Sequence, residues 1–552
     1  MNGKPMTTWW VLAWTLVASA AFSQQAPGMD ELDASALRAD LFFLASDEMR
    51  GRLVASAEND LATAFIRSRF QRLGLRPAHG HSFYQPFEII NGTLGSDNEI
   101  TLVNATGATS RAQMRQGFFP LAFSASGSVE SEVVFSGFGI SAPKLSHDDF
   151  RDGAVRGKIA LVLDHEPGEN EPESVFDGLV TSEYSRNLRK ALYAQRAGAI
   201  GILFVSDVHN HGAGASFQGL ANRSWPEPGR RIPRYLLGDW AEQVRIPALQ
   251  ISPALADDIL RASGRSLSEL SPLAEVSGGA APVVVSSLRV KLTADVRRNV
   301  VTSRNVIAAI DGADPELADE WVIVSAHMDH DGADGNRIWN GADDDGSGTV
   351  ALLAIAAAYA AAAEEGIRPK RSVLFASWNA EEAGLLGAWA FAESPSMPRD
   401  RIVAVLNMDM IGRNEEVPKG GGRRFRGLSP QTAASNANAV NILGHSYSGD
   451  LTDAVREANR DSELTLKMGY DNNPSNLLRR SDQWPFLQKA VPSLFFHTGL
   501  HPDYHTEFDV PERIEYEKLE RIARLVHQLS WDLANQSERP GFDKPAQAAA
   551  VP

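Results

Sequence analysis

Five short segments in the second half of the chain carry side chains that bind hard and borderline metal ions. They are Ser325-Ala326-His327-Met328-Asp329-His330, Gly341-Ala342-Asp343-Asp344-Asp345-Gly346-Ser347-Gly348, Asn379-Ala380-Glu381-Glu382-Ala383-Gly384, Leu406-Asn407-Met408-Asp409-Met410 and Asp503-Tyr504-His505-Thr506. Their order reads His, Asp, Glu-Glu, Asp, His. Two imidazoles and several carboxylates can hold a pair of divalent ions with a water between them. Taken singly, each string is weak. A His-x-Asp turn can be plain solvated loop, and the Asp343–Asp345 run lacks the alternate spacing and terminal Glu of an EF-hand. Glu381-Glu382 can complement a helix N-terminus. Asp409, between two methionines at an apolar strand end, is costly to bury unless it is paired or metal-bound. The five together, in this order, point to one site.

The elements around these strings explain how they meet. Trp321–Ser325, Ser372–Ala376, Ile402–Leu406 and Pro492–Phe496 are predicted strands, as is Val306–Ile310. Thr349–Ala363, Leu385–Ala392 and Glu512–Leu533 are predicted helices. Such alternation implies an α/β class with a doubly wound, mostly parallel sheet covered on both faces. His327, Glu381-Glu382 and Asp409 each follow a strand, so all three are expected on the carboxyl edge where functional crevices lie.

The chain has 552 residues, too long for one ordinary core, and its 43% apolar and 22% charged content is that of a globular protein. Its net charge of −16 argues against nucleic-acid or anionic-membrane partners; Arg423-Arg424-Phe425-Arg426 reads as a solvated loop. Lys4, the apolar stretch Trp9–Ala21 and the small-x-small triplet Ala21-Phe22-Ser23 read as an export signal over residues 1–23, placing the protein in the periplasm or outside the cell. No other segment is expected to span a membrane, so no stable membrane association is expected after signal cleavage. The absence of cysteine excludes disulfides, a thiol nucleophile and Cys-ligated zinc. Asp30–Leu75 looks helical. From about 98 to 296 the texture changes to short β-branched runs such as Ile159–Leu163 and Ile200–Val205, broken by Gly and Pro, with one helix over Asn187–Gly198. The histidines there (His147, His165, His209, His211) complete no recognisable ligand motif and read as surface or core residues.

The five strings resemble those of the secreted bacterial di-zinc aminopeptidase family, whose relatives include the glutamate carboxypeptidases and the transferrin receptor. The resemblance covers Asn305–Asn535 and the segment around Phe43–Phe87. Gly157–Val162 and Ala197–Gly201 resemble a protease-associated domain, which such proteins often carry as an insertion. The resemblance implies a zinc-exopeptidase fold with an inserted, smaller β-rich domain. Its boundaries would be a signal at 1–23, an N-terminal helical part of the peptidase domain at 24–96, the insertion at 97–295, the catalytic domain at 296–540 and a disordered tail at 541–552. It implies two zinc ions bridged by Asp344, with His327 and Asp409 on one and Glu382 and His505 on the other; cobalt or manganese can occupy such sites. Glu381 would be the general base, Tyr504 an oxyanion donor, and Asp345 would occupy the position after an unusual cis peptide. Asp329 is expected to orient His327 through its free ring nitrogen, and Asp509 to serve His505 in the same way. Gln483 stands where many relatives have His, and Arg480, with Arg479, is a candidate contact to a substrate carboxylate or carbonyl. The implied activity is hydrolysis of peptides from the N-terminus. Carboxypeptidase or dipeptidase action, glutaminyl cyclisation on one zinc, and binding without catalysis are the alternatives; no ligand is missing, which disfavours the last. The sequence sets neither the side-chain preference nor the oligomeric state.

Overall fold

In the computed structural model, residues 25–211, 216–227 and 232–544 are described. The proposed signal at 1–23 and most of the proposed tail, 545–552, lie outside them.

A long sheet organises the molecule. Its strand order is Leu236–Leu237, Tyr84–Leu94, Val296–Ile310, Ser372–Trp378, Trp321–His327, Ile402–Met408, Ser493–His497, Ala439–Leu443 and Thr465–Lys467, with Arg76–Pro77 pairing to Val296–Ile310 off this path. The centre is parallel, from Ser372–Trp378 through Ser493–His497. The flanking pairs, Val296–Ile310 with Ser372–Trp378 and Ala439–Leu443 with Ser493–His497, are antiparallel. Apart from the half-buried Trp321, the central strands Trp321–His327 and Ser372–Trp378 are buried, so successive residues feed two cores. Val322, Val324, Val373 and Phe375 pack toward the helices Ala34–Leu44, Gly348–Glu364 and Tyr516–Asn535, while Ile323, Leu374 and Ala376 pack with Phe391 and Phe486 on the other face. Helices on both faces make this an α/β protein.

The helix Gly348–Glu364 is alanine-rich and nearly all buried. Small side chains let it lie between the sheet and Tyr516–Asn535. With the turn before it, Ala342–Glu364, it is long and apolar enough to cross a membrane, contrary to the expectation that no internal segment would be, but here it is a core helix.

The segment 24–96 is helical only in its first part, over Ala34–Leu44 and Ala57–Arg72. Tyr84–Leu94 is a strand whose burial follows the two-residue period as far as Ile89 and breaks at the buried pair Ile89-Ile90. It pairs with Val296–Ile310 in an antiparallel ribbon running from Val296↔Leu94 to Val306↔Tyr84. Between these two strands the chain builds a second, eight-stranded sheet ordered Thr109–Arg111, Glu99–Asn104, Val283–Ala294, Gly127–Phe135, Ile159–Leu163, Gly201–Val205, Ala248–Ile251 and Phe118–Pro120. This insert also holds the helices Asn187–Arg196, Pro253–Leu260 and Leu267–Ala274. It is tied to the main body through Glu183, whose buried carboxylate accepts from Trp484 Nε1 at 2.8 Å and pairs with Arg479 at 3.1 Å and Arg186 at 2.9 Å.

Candidate metal centre

The parallel register puts the ligand strings at one edge. His327 stands opposite Trp378, and Ser325 opposite Asn407, so His327, Glu381-Glu382 and Asp409 leave adjacent strands side by side. The turns that carry them are tight. Ala380, Met410 and His505 take left-handed φ values of 60°, 56° and 55°, a conformation that costs of order 1–3 kcal/mol in a non-glycine residue and clusters at functional sites. Gly341 is required sterically: at φ 58°, a β carbon there would lie 2.3 Å from the Asp344 carbonyl oxygen.

Asp344 lies at the middle of the cluster. Its Oδ1 is 3.3 Å from His327 Nε2 and its Oδ2 is 3.0 Å from His505 Nε2. Asp409 Oδ2 is 3.7 Å and Glu381 Oε2 3.9 Å from His327 Nε2, and Glu382 Oε2 is 3.3 Å from His505 Nε2. The Asp344–Asp345 peptide is cis. Asp345 turns away from the cluster and accepts from the amides of His327, Gly348 and Met410 at 3.0, 2.9 and 3.2 Å, joining three of the ligand-bearing segments.

Asp329 meets the free ring nitrogen of His327 through its backbone carbonyl, with its carboxylate 3.9 Å away, whereas the expected Asp509 contact is replaced by another. His327 Nδ1 faces the backbone carbonyl of Asp329 at 3.1 Å, while the Asp329 carboxylate accepts from the amides of Glu381 and Glu382 at 3.0 and 3.3 Å. Because a carbonyl only accepts, it fixes the proton on Nδ1 and leaves the Nε2 lone pair for the cluster. Asp509 does not reach His505. Its carboxylate caps the amides of Asp343 and Asp344 at 3.0–3.1 Å, and Asp331 takes the place beside His505 Nδ1, at 3.4 Å. His330, the last residue of the first string, is fully buried with Nδ1 at 2.8 Å from Glu382 Oε1. Its presence in that string was the available signal; its direction depended on the turn after His327.

The cluster suits cations. Ligand atoms fall into overlapping groups within 4.8 Å of one another: His327, Glu381 and Asp409; His330, Asp344 and Glu382; and Asp331, Glu382 and His505. His327 Nε2 and Asp409 Oδ1 are buried and make no hydrogen bond, a costly state for polar atoms unless something else binds them. Burial pushes the His505 imidazole down, yet Glu382 and Asp344 beside it raise it to about 10. Burial raises the Glu381 carboxyl well above its ordinary range; His327 opposes this, and the neighbouring Glu382 and Asp409 add to it. The donors are imidazole nitrogens and carboxylate oxygens, the set that zinc accepts.

A cavity of about 240 Å3 opens onto these residues, lined also by Tyr504, Arg480, Met410 and Leu500. Tyr504 packs against His505, with ring centroids 4.0 Å apart and the planes tilted by 49°. Burial, then Asp344 and Glu382, hold its hydroxyl well above the usual tyrosine range, so it stays a neutral donor. Arg480 donates to the Ser475 carbonyl at 2.6 Å, whereas Arg479 is engaged by Glu183 of the insert. Gln483 is buried and donates to the Leu478 carbonyl, away from the ligands.

Sheet and site together define an α/β protein with a cluster of metal-ligand side chains on the carboxyl edge of its parallel strands. Residues 305–530 match the model of peptidase family M28. It is 28% identical over 413 residues to a protein named probable glutamate carboxypeptidase AMP1 of Arabidopsis thaliana, covering 70% of this chain and 51% of that one. It is 30% identical over 242 residues to aminopeptidase NAALADL1 of Mus musculus, covering 41% and 30%. The chain thus spans about half or less of the length of these relatives. Among solved structures it is similar to an aminopeptidase from Aneurinibacillus sp. strain AM-1, at 19% identity and a TM-score of 0.49, over 93% of this chain and 96% of that one.

Proposed function

We propose that the protein is a zinc-dependent exopeptidase working with two ions, an aminopeptidase that releases N-terminal residues from peptides. The observation that carries this reading is Asp344, whose two oxygens face His327 and His505 separately. One carboxylate facing two imidazole-carboxylate groups is the arrangement a bridging ligand needs. His327 and Asp409 would hold one ion, and Glu382 and His505 the other. When bound, such a pair supplies Lewis-acid activation of a water and of the scissile carbonyl.

The chain's own groups account for the rest. Glu381 lines the cavity beside the ligands and, as general base, takes a proton at its carboxylate and delivers it to the departing amine. Tyr504, neutral and facing the same cavity, donates a hydrogen bond to the oxygen on which charge develops. The insert walls one side of the approach through Arg186. Lys4, Trp9–Ala21 and Ala21-Phe22-Ser23 support export as part of this reading.

Carboxypeptidase action is the second reading. It is favoured by Arg480, a guanidinium lining the cavity that could pair with a terminal carboxylate, and by the name of one relative. Assay of one peptide with free ends, N-acetylated and C-amidated separates the two. The aminopeptidase reading expects acetylation to abolish cleavage and amidation to leave it; the reverse pattern assigns the second reading, and equal cleavage of all three overturns both.

A further inference from the structure

The insert carries a cluster of metal-ligand side chains of its own. His165 follows the strand Ile159–Leu163, and His211 follows the neighbouring parallel strand Gly201–Val205. Both imidazoles therefore leave the same carboxyl edge of the second sheet, the kind of edge where loops converge on ligands. Glu169 stands between them, with Oε2 3.0 Å from His165 Nδ1 and Oε1 2.5 Å from His211 Nε2. The ring centroids are 4.1 Å apart, and ligand atoms of all three residues lie within 4.8 Å of one another.

The loops are pinned so that these side chains meet. His165 has a left-handed φ of 67°, a strained conformation for a residue with a β carbon. The buried Lys190 ammonium donates to the carbonyls of Leu163 and His165. Glu275 accepts from the Gly168 amide at 2.8 Å and from the Asn210 side chain, so one carboxylate ties the residue before Glu169 to the residue before His211. Asp207, fully buried, accepts from the His209 amide at 2.9 Å and from Asn210 Nδ2 at 2.8 Å. The His165 and His211 side chains are 43% and 36% exposed, so an ion can reach them from solvent.

We propose that His165, Glu169 and His211 form an additional site for a divalent transition ion of the zinc type, separate from the M28 cluster. Two imidazole nitrogens and one carboxylate oxygen suit zinc, cobalt or nickel rather than calcium or magnesium. Three protein ligands leave a coordination position for water or a carbonyl oxygen. His165 also borders a cavity of about 730 Å3 between the insert and the main body, and that cavity shares Arg186, Gly384 and Arg480 with the M28 cavity. An ion here fastens two loops of the insert beside this groove.

Two measurements on the full chain test this. Anomalous diffraction at the zinc edge from zinc-soaked crystals should give a peak about 2.0–2.2 Å from ring nitrogens of both His165 and His211. After chelation, Co2+ titration of His165→Ala/His211→Ala should saturate one equivalent below the wild type. If that variant fails to fold, Glu169→Gln, which keeps shape, should bind the same equivalent at least tenfold more weakly. No peak between His165 and His211, or equal stoichiometry and affinity in wild type and variants, overturns the inference whatever the M28 cluster holds. A peak at His165 with none at His327 upholds this site and overturns the proposed function instead.

Discussion

At the scale of single residues, the ligand types and their order were legible because chemistry restricts them. A bridging carboxylate, imidazoles and paired glutamates are recognisable wherever the fold takes them. The groups that aim those ligands were not. Asp329, Asp331 and Asp509 are all acids near a ligand in sequence, and only the path of the turns decides that Asp331 reaches His505 while Asp509 caps the amides of Asp343 and Asp344. The histidines of the insert illustrate the same limit, since His165 and His211 are far apart in sequence and meet only through adjacent parallel strands. Asp331→Ala should therefore weaken zinc binding about ten- to a hundredfold, the usual cost of losing a ligand's orienting partner. Competition with a chromophoric chelator measures this, and unchanged affinity would contradict the assigned contact.

At the scale of elements, strands and helices of the main body follow from hydrophobic period, and the carboxyl-edge placement of the ligands follows from strand order. The direction of Ala439–Leu443 does not: a short, fully buried strand reads alike whether parallel or antiparallel. Nor does the role of Arg52, which in sequence lies inside the helical-looking stretch Asp30–Leu75. Fully buried, it donates to the carbonyls of Met328 at 2.8 Å, Leu44 at 2.8 Å, Asn340 at 2.7 Å and Gly341 at 2.9 Å. It thereby fixes the turns after His327 and before Asp344 against the N-terminal helices. Burial lowers its pKa to about 10, with Asp329, Asp509, Asp344 and Asp345 opposing, so it remains charged. Arg52→Leu takes a donor from four carbonyls, of which Gly341 keeps another from the Gly346 amide, and should cost about 3 kcal/mol or more. Urea unfolding of the metal-free protein measures it, and a loss under about 1 kcal/mol would show that the anchor is dispensable.

At the scale of the whole molecule, distant parts of the chain close on each other. The helix Tyr516–Asn535 holds the start of the described chain: Gln528 accepts from the Ala26 amide and His527 Nε2 meets the Pro27 carbonyl, both at 2.8 Å. Burial lowers the His527 pKa to about 4, with the Pro27 bond opposing. Unfolded, the ring titrates near 6.5, so between pH 6.5 and about 4 the unfolded chain binds the extra proton. The stability this residue contributes is complete above pH 6.5 and lost as pH falls to about 4, on the order of 3 kcal/mol. His527→Gln should flatten that part of the stability curve, and parallel wild-type and variant curves would refute the assignment.

The proposed function requires a two-ion centre in which Glu381 moves the proton and does not hold the metal. Metal content and peptide turnover of Glu381→Gln, measured on the same preparation as the wild type, test it most directly. Two zinc ions per chain in both proteins and a loss of turnover of at least about a hundredfold in the variant are expected. Turnover at the wild-type rate, or loss of zinc along with the carboxylate, would contradict it.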